Sequence, residues 1–301
     1  MSETTRRTVS RRTEAHTDVP DTPPFRQRLE GLTCQEFGRA LVDEVRASRD
    51  GLRRRLRDEE LVEARDTLLA PEGLVAERGQ AGRWAAFTDG WCSVQDEASM
   101  LVARLLDPQP GETVADTCAA PGTKATHLAE LMGNRGRVVA MDPQAARLGL
   151  VPGAAARLGL TIVETQAGAA ASLEPRWREQ CDAALVDAPC SNLGVLRRNP
   201  EVKWRRTEAD LPRLARLQRS ILEAGAAMVR PGGRLVYATC SLEPEENEEV
   251  VGALLSGHTD WRPEPPREFP VAPDAAGFMR CLPHVHGTDG FTMIRLRRGR
   301  P

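Results

Sequence analysis

Two periodicities divide the chain. Across residues 25–65 apolar positions recur at helical spacing among charges, as at Leu29 and Leu32, at Phe37, Leu41 and Val45, and at Leu61 and Ala64. That spacing predicts two or three short helices. The following stretch, LLAPEGLVAERGQAGRWAAFTDGWCSV, is glycine-rich and reads as an irregular connector. After Ser93 the pattern becomes an alternation of apolar runs and helical stretches. VQDEASMLVARLLD predicts an amphipathic helix with Ser93 as its N-cap. ETVAD, RVVAM, LTIVE, DAALVD and GRLVYA predict strands, and GFTMIRLRR a last one. KATHLAELM and EADLPRLARLQRSILEAGAAMV predict helices between them. Such alternation implies an α/β fold, a mainly parallel sheet with helices on both faces.

Local breakers refine this picture. Pro231, Gly232 and Gly233 predict a turn between the long helix and the strand after it. Pro152 and Gly153 interrupt DPQAARLGLVPGAAARLGL, where a regular helix would lose about 3 kcal/mol to the proline, so a kink or two short helices is expected. Residues 1–24 are polar and rich in Pro and Thr, and are expected to be disordered. The chain thus divides into a tail (1–24), a small helical subdomain with its connector (25–90) and a main domain (91–301).

Composition narrows the function classes. At 301 residues and 41% hydrophobic content the chain can bury a large core. No apolar run reaches membrane-spanning length, and the start has no hydrophobic centre for a secretion signal. Glu3, Glu14 and Asp18 argue against a transit peptide. The seven cysteines form no C-x-x-C pair, which points to a reducing, cytoplasmic setting, without a disulfide framework or a metal site. The net charge of −2 leaves room only for a local nucleic-acid footprint. Arginines gather at 197–198, 205–206, 213–219 and 295–300, and solvated faces account for each cluster taken alone. Of 41 basic residues only Lys124 and Lys203 are lysine, which marks both as positions where a compact ammonium is wanted.

The candidate chemistry lies at strand ends. TVADTCAAPGTKATHLAEL is a strand, a turn of small residues and a helix, and ligands of open α/β sheets bind at such carboxyl ends. Neither G-x-G-x-x-G nor the phosphate loop is present. Asp142 ends the next strand, where a carboxylate can take a ribose hydroxyl pair. DAPCSN and YATCS end two further strands with Cys190 and Cys240. Buried hydrophobe is the usual role of a lone cysteine, and Cys34, Cys181 and Cys281 read so. A redox pair of Cys190 and Cys240 has no C-x-x-C to support it.

Taken together, ADTCAAPGTKATHLAE, VVAMD, DAPCSNLGVLRRNPEVKW, VRPGGRLVYATCSLEPEENEEVV and LPHVHGTDGF resemble the RsmB/Sun family of RNA cytosine-5 methyltransferases, most of all its bacterial small-subunit ribosomal RNA branch. The resemblance runs from about Gly90 to the C-terminus. It implies a Rossmann-like, S-adenosylmethionine-dependent methyltransferase sheet acting on RNA, with ribosomal RNA as the expected partner. It makes Cys240 the nucleophile on carbon 6 of cytosine and Cys190 the thiol that helps resolve the adduct. Asp187 and Lys124 would face the target base. Cys118, Ala119, Ala120, Pro121, Gly122, Thr123, Lys124, Asp142 and Asp187 would hold the cofactor, Cys118 through its backbone. Arg197, Arg198, Lys203 and Trp204 are positioned for RNA phosphates or a stacked base, while a structural role for Trp204 has equal weight. Three positions depart from the pattern: Thr123 replaces a glycine, no acid stands near Gly168, and Asn192-Leu193 replaces Gly-Thr. They leave open a non-catalytic RNA-binding relative, or the same chemistry on transfer RNA.

Overall fold

In the computed structural model, which describes residues 40–44, 48–76 and 78–300, the segment ahead of the main sheet differs most from its sequence reading. The expected helix forms as α1 (Arg49–Glu60), capped by Ser48, whose side chain accepts from the Gly51 amide, and buries Leu52 and Leu56. Beside it β1 (Ala40–Glu44), β2 (Ala64–Asp66), β3 (Leu74–Ala76) and β4 (Cys92–Val94) make an antiparallel sheet in the order β2-β3-β1-β4. Leu41 therefore lies on a strand rather than a helix, and the connector supplies β3 and β4. Strands of three residues carry too few positions for a period-2 pattern; pairing makes them strands. Leu29, Leu32, Cys34, Phe37, Val45 and the tail of residues 1–24 lie outside the described residues.

The helix α2 (Glu97–Leu106) is opened by Asp96, whose carboxylate accepts from the Ala98 amide at 2.9 Å, and not by Ser93. Apart from Arg104 all of it is buried. The expected amphipathic helix is thus enclosed, because the last strands of the sheet pack against it as well. Its final carbonyls are received by Arg234, whose Nε–H donates to Leu106 O and Nη2–H to Asp107 O, each at 2.6 Å. The same guanidinium grips Glu112 at 2.8 and 2.6 Å.

The main sheet then assembles as predicted. It contains β5 (Thr113–Asp116), α3 (Thr123–Leu131), β6 (Arg137–Asp142), α4 (Ala145–Leu148), α5 (Val151–Leu158), β7 (Val163–Ala167), α6 (Ala170–Trp177) and β8 (Cys181–Asp187) in its first half. The second half brings α7 (Val202–Arg205), α8 (Asp210–Met228), β9 (Val229–Thr239), α9 (Glu248–Gly257), β10 (Trp261–Pro263), β11 (Met279–Cys281) and β12 (Phe291–Arg298). The order is β10-β12-β9-β8-β5-β6-β7, with β11 paired to β12; β7 through β9 run parallel and β12 is antiparallel to β9. Along β8, Ala183 and Leu185 join the core with α2 and α3, while Ala184 and Val186 join the opposite core with α8 and α9. Burial on both faces explains why the strand runs are continuously apolar.

Breakers act through context. The segment with Pro152 forms two helices, α4 and α5, and the proline sits in the first turn of α5 where no hydrogen bond is lost. The strand expected over LTIVE starts at Val163 instead, and as the sheet's edge β7 is mostly exposed. Pro231, Gly232 and Gly233 lie within β9 rather than in a separate turn. The ladder passes from Cys181↔Val229 to Ala183↔Arg234, so these residues bulge out of it, Gly232 at φ +77°. Among the described residues no helix is long and apolar enough to cross a membrane.

Arg234→Met should destabilise the chain by about 1–3 kcal/mol, because it removes the donor to the buried Leu106 carbonyl and the partner of the half-buried Glu112. Urea denaturation should show a lower midpoint with an unchanged slope.

Candidate active site

A cavity of about 770 Å³ opens at the carboxyl ends of β5, β6, β8 and β9. Cys118, Ala119, Ala120, Pro121, Thr123, Lys124, Asp142, Asp187, Cys190 and Cys240 all line it. The sheet brings these residues together from four loops. Gly122 alone of the expected set stands behind the wall. Its φ of +116° starts α3, and a Cβ there would meet Val151 Cα at 3.2 Å, so its freedom serves the turn and helix packing. The turn is held by its neighbours: the Ala119 amide donates to Met141 O at 2.9 Å, and the Ala120 amide donates to Asp142 Oδ2 at 3.3 Å. Beyond β7 the wall is Ala169 and Ala170, with no acid, as the sequence pattern implied.

The two thiols meet. Cys190 Sγ and Cys240 Sγ are 3.2 Å apart, and the side-chain carbonyl of Asn192 accepts from Cys240 Sγ at 3.0 Å and from Cys190 Sγ at 3.5 Å. The hydrogen bond to Cys240, with burial, pushes the Cys190 thiol well above its ordinary value. Across the cavity Lys124 Nζ lies 2.7 Å from Asp187 Oδ2 and 5.4 Å from the ring centre of Phe291. Burial pulls the ammonium of Lys124 down, but Asp187, aided by Cys240 and Asp116, outweighs it and raises the net value. Cys118 lends its amide to Asp116, and burial drives its thiol far up. Cys92, Cys181 and Cys281 are buried away from the cavity, and burial pushes the last two up to about 12.

Three loops are stitched beneath the thiols. Gly194 donates to Cys240 O at 3.0 Å and accepts from the Gly290 amide at 2.8 Å. A Cβ on Gly194 would stand 2.0 Å from Gly290 O. Glu246 is fully buried and accepts from the Ser191 amide, the Ser191 hydroxyl and Gln218 at 2.8, 2.5 and 2.9 Å. Tyr237, the single tyrosine, donates to Glu246 O at 2.6 Å. Neither Gly194 nor Glu246 was marked by the sequence reading, since nothing local signals a contact made some 50 residues away.

The arginine clusters are largely structural. Arg198 pairs with Asp289, and Arg197 lies 3.3 Å from Asp96. Both acids are buried, and each arginine is tethered to them while Arg198 also lines the cavity. In the tail, Arg297 pairs with Glu264 and Arg298 with Asp260.

Comparison with known proteins fits this architecture. A family model described as "16S rRNA methyltransferase RsmB/F" matches residues 103–297. The chain belongs to that family. It is 42% identical over 250 residues, 76% of this chain and 56% of the relative, to "Probable ribosomal RNA small subunit methyltransferase B" of Bacillus subtilis. It is 41% identical over 211 residues, 70% of this chain and 48% of the relative, to ribosomal RNA small subunit methyltransferase B of Shewanella oneidensis. The chain thus spans about half the length of the curated relatives it matches. A methyltransferase homolog protein from Pyrococcus horikoshii superposes with a TM-score of 0.76 at 30% identity, covering 90% of this chain and 88% of that one.

Two outcomes follow from the site. The first concerns Asp116, which lies behind the turn with Oδ2 buried and unbonded; burial, then Asp187, raises its pKa from 3.8 to about 7. Between those values the folded chain holds a proton that the unfolded chain has released, so this contribution to stability is lost as pH rises. Urea midpoints at about pH 5 and about pH 8 should differ less in Asp116→Asn than in the wild type. The second concerns Gly194→Ala, which should separate the loops while the sheet persists. Far-UV circular dichroism should be retained, and dibromobimane, fluorescent when it bridges neighbouring thiols, should react less with the variant.

Proposed function

We propose that this chain methylates carbon 5 of cytosine in ribosomal RNA, with Cys240 as nucleophile. The observation that carries the reading is the pair of thiols 3.2 Å apart in one cavity with the Lys124–Asp187 ion pair. The donor set suits S-adenosylmethionine: small residues on the turn at Ala119 and Ala120, a buried carboxylate at Asp142, and an apolar wall at Ala169 and Ala170. When bound there, S-adenosylmethionine supplies an electrophilic methyl group.

This chain's residues would do the rest. The base must leave its stack to enter the cavity, since carbon 6 is shielded within a helix. Asp187, fixed by Lys124, offers a carboxylate to the N3–N4 edge of cytosine. Cys240 sulfur bonds to carbon 6, and the electron pair of the 5,6 double bond moves to carbon 5, which becomes the nucleophile. Once carbon 5 has taken the donor's methyl group, its proton leaves to solvent, the pair of that C–H bond re-forms the 5,6 double bond, and the sulfur departs from carbon 6 with its bonding pair. Cys190, 3.2 Å from Cys240, would assist that release of the sulfur from carbon 6. The absent acid beyond β7 favours a second reading, an RNA-binding relative with weak donor affinity.

Cys190→Ala incubated with cytosine-containing ribosomal RNA and S-adenosylmethionine should accumulate a denaturation-resistant protein–RNA adduct, while Cys240→Ala should form none and fall to background methylation by bisulfite sequencing. Full methylation by Cys240→Ala would refute the mechanism. RNA binding without measurable donor affinity would favour the second reading.

A further inference from the structure

The helix α7 presents an exposed aromatic and cationic face beside the reaction cavity. Arg206, immediately after it, turns inward: its Nε–H donates to Ser191 O at 2.9 Å, and its Nη2–H reaches Cys190 O at 3.5 Å. The helix is thereby tied to the loop that carries Cys190. Its apolar anchor is Val202, packed against Leu193, Leu196 and Leu211. Trp204 takes no part in that cluster and is 83% exposed, with Lys203 Nζ 5.7 Å from its ring. A side chain of that size gains most of its stabilisation by burial, so its exposure here is costly unless a partner covers it.

A second cavity, of about 370 Å³, opens under this helix between Asn192, Asn199, Glu201, Val202, Arg205 and Arg206. It shares Asn192 and Arg206 with the reaction cavity, so the two are neighbours. Arg205 is exposed, and Glu201 alone among the lining is acidic. The contrast with Arg197 and Arg198 is direct: those guanidiniums are neutralised by buried acids, whereas among the described residues no carboxylate pairs with Lys203 or Arg205. A flat exposed ring with unneutralised cations at the mouth of a cavity is the arrangement that takes single-stranded nucleic acid.

We propose that α7 and the cavity beside it form a subsite for the nucleotide flanking the target, with the RNA phosphate at Arg205 and the flanking base stacked on Trp204. This rests on the reading that an unstacked RNA base enters the reaction cavity. It adds that the strand leaves over Asn192 and Arg206, so the loop holding Cys190 is bound to the same element that grips the substrate. Substrate choice then depends partly on a base that undergoes no chemistry.

The test uses the full chain and a fluorescently labelled single-stranded RNA containing one cytosine, without methyl donor. Trp204→Ala should weaken binding, read by anisotropy, on the order of 10-fold, and Trp204→Phe should recover most of it. Arg205→Ala should lower the salt dependence of log K by about 0.7. At saturating RNA, methylation by Trp204→Ala should keep its kcat while KM rises. Wild-type affinity in Trp204→Ala overturns the subsite, and would leave the face to a protein partner. Weakened binding by Trp204→Ala in a wild-type chain that never methylates RNA sustains the subsite and defeats the methylation reading. Absence of any RNA binding by the wild type defeats both.

Discussion

The cavity depends on a place where three loops touch backbone to backbone. Gly194 stands between Cys240 and Gly290, giving its amide to one and its carbonyl to the other. No side chain fits there, because a Cβ would lie within 2.0 Å of Gly290 O and 2.9 Å of Cys240 O. This crossing sets how far the loop after β8 lies from the loop after β9, and hence how far Cys190 lies from Cys240. It also carries the start of β12 into the site, where Phe291 faces Lys124. Glu246 closes the same knot from below by satisfying Ser191 and Gln218, so the knot is held by hydrogen bonds that burial makes costly to break.

Electrostatics sorts the acids at the sheet's edge. Asp116, Asp142 and Asp187 end three adjacent strands, close enough for Asp187 and Asp142 both to disfavour charge on Asp116. Lys124 eases the crowding by pairing with Asp187, one of the two that line the cavity. Asp116, fully buried and close to Asp187, keeps its proton up to about pH 7. One ammonium therefore separates a carboxylate available to a ligand from an acid that behaves as part of the core.

The arginines divide in the same way. Arg234 ends a buried helix, Arg197 and Arg198 bind Asp96 and Asp289, and the arginines of β12 knit the sheet's far edge to Glu264 and Asp260. Planar guanidiniums that donate to several carbonyls and carboxylates at once suit such work. Several of the arginines are thereby paired internally, whereas on α7 no carboxylate among the described residues pairs with Lys203 or Arg205.

The chain's own pattern determined the alternating sheet, its helices and the turn of small residues, because local periodicity and strand-end position are written in consecutive residues. Helix α8 and the broken pair α4 and α5 fall where LQRSILEAG and Pro152 place them. That Asp142, Asp187, Cys190 and Cys240 share one edge was legible too, since each stands at or just past a strand end and the sheet carries those ends together. Tertiary structure decided the rest. The four short strands before the main sheet exist through pairing alone, and the burial of α2 follows from its packing against α3 and the strands β8, β9 and β12. Asn192 between the thiols, Gly194 between the loops and Glu246 beneath them act across separations that no local pattern encodes. Their meaning is a matter of which atoms meet, and only the folded chain specifies that.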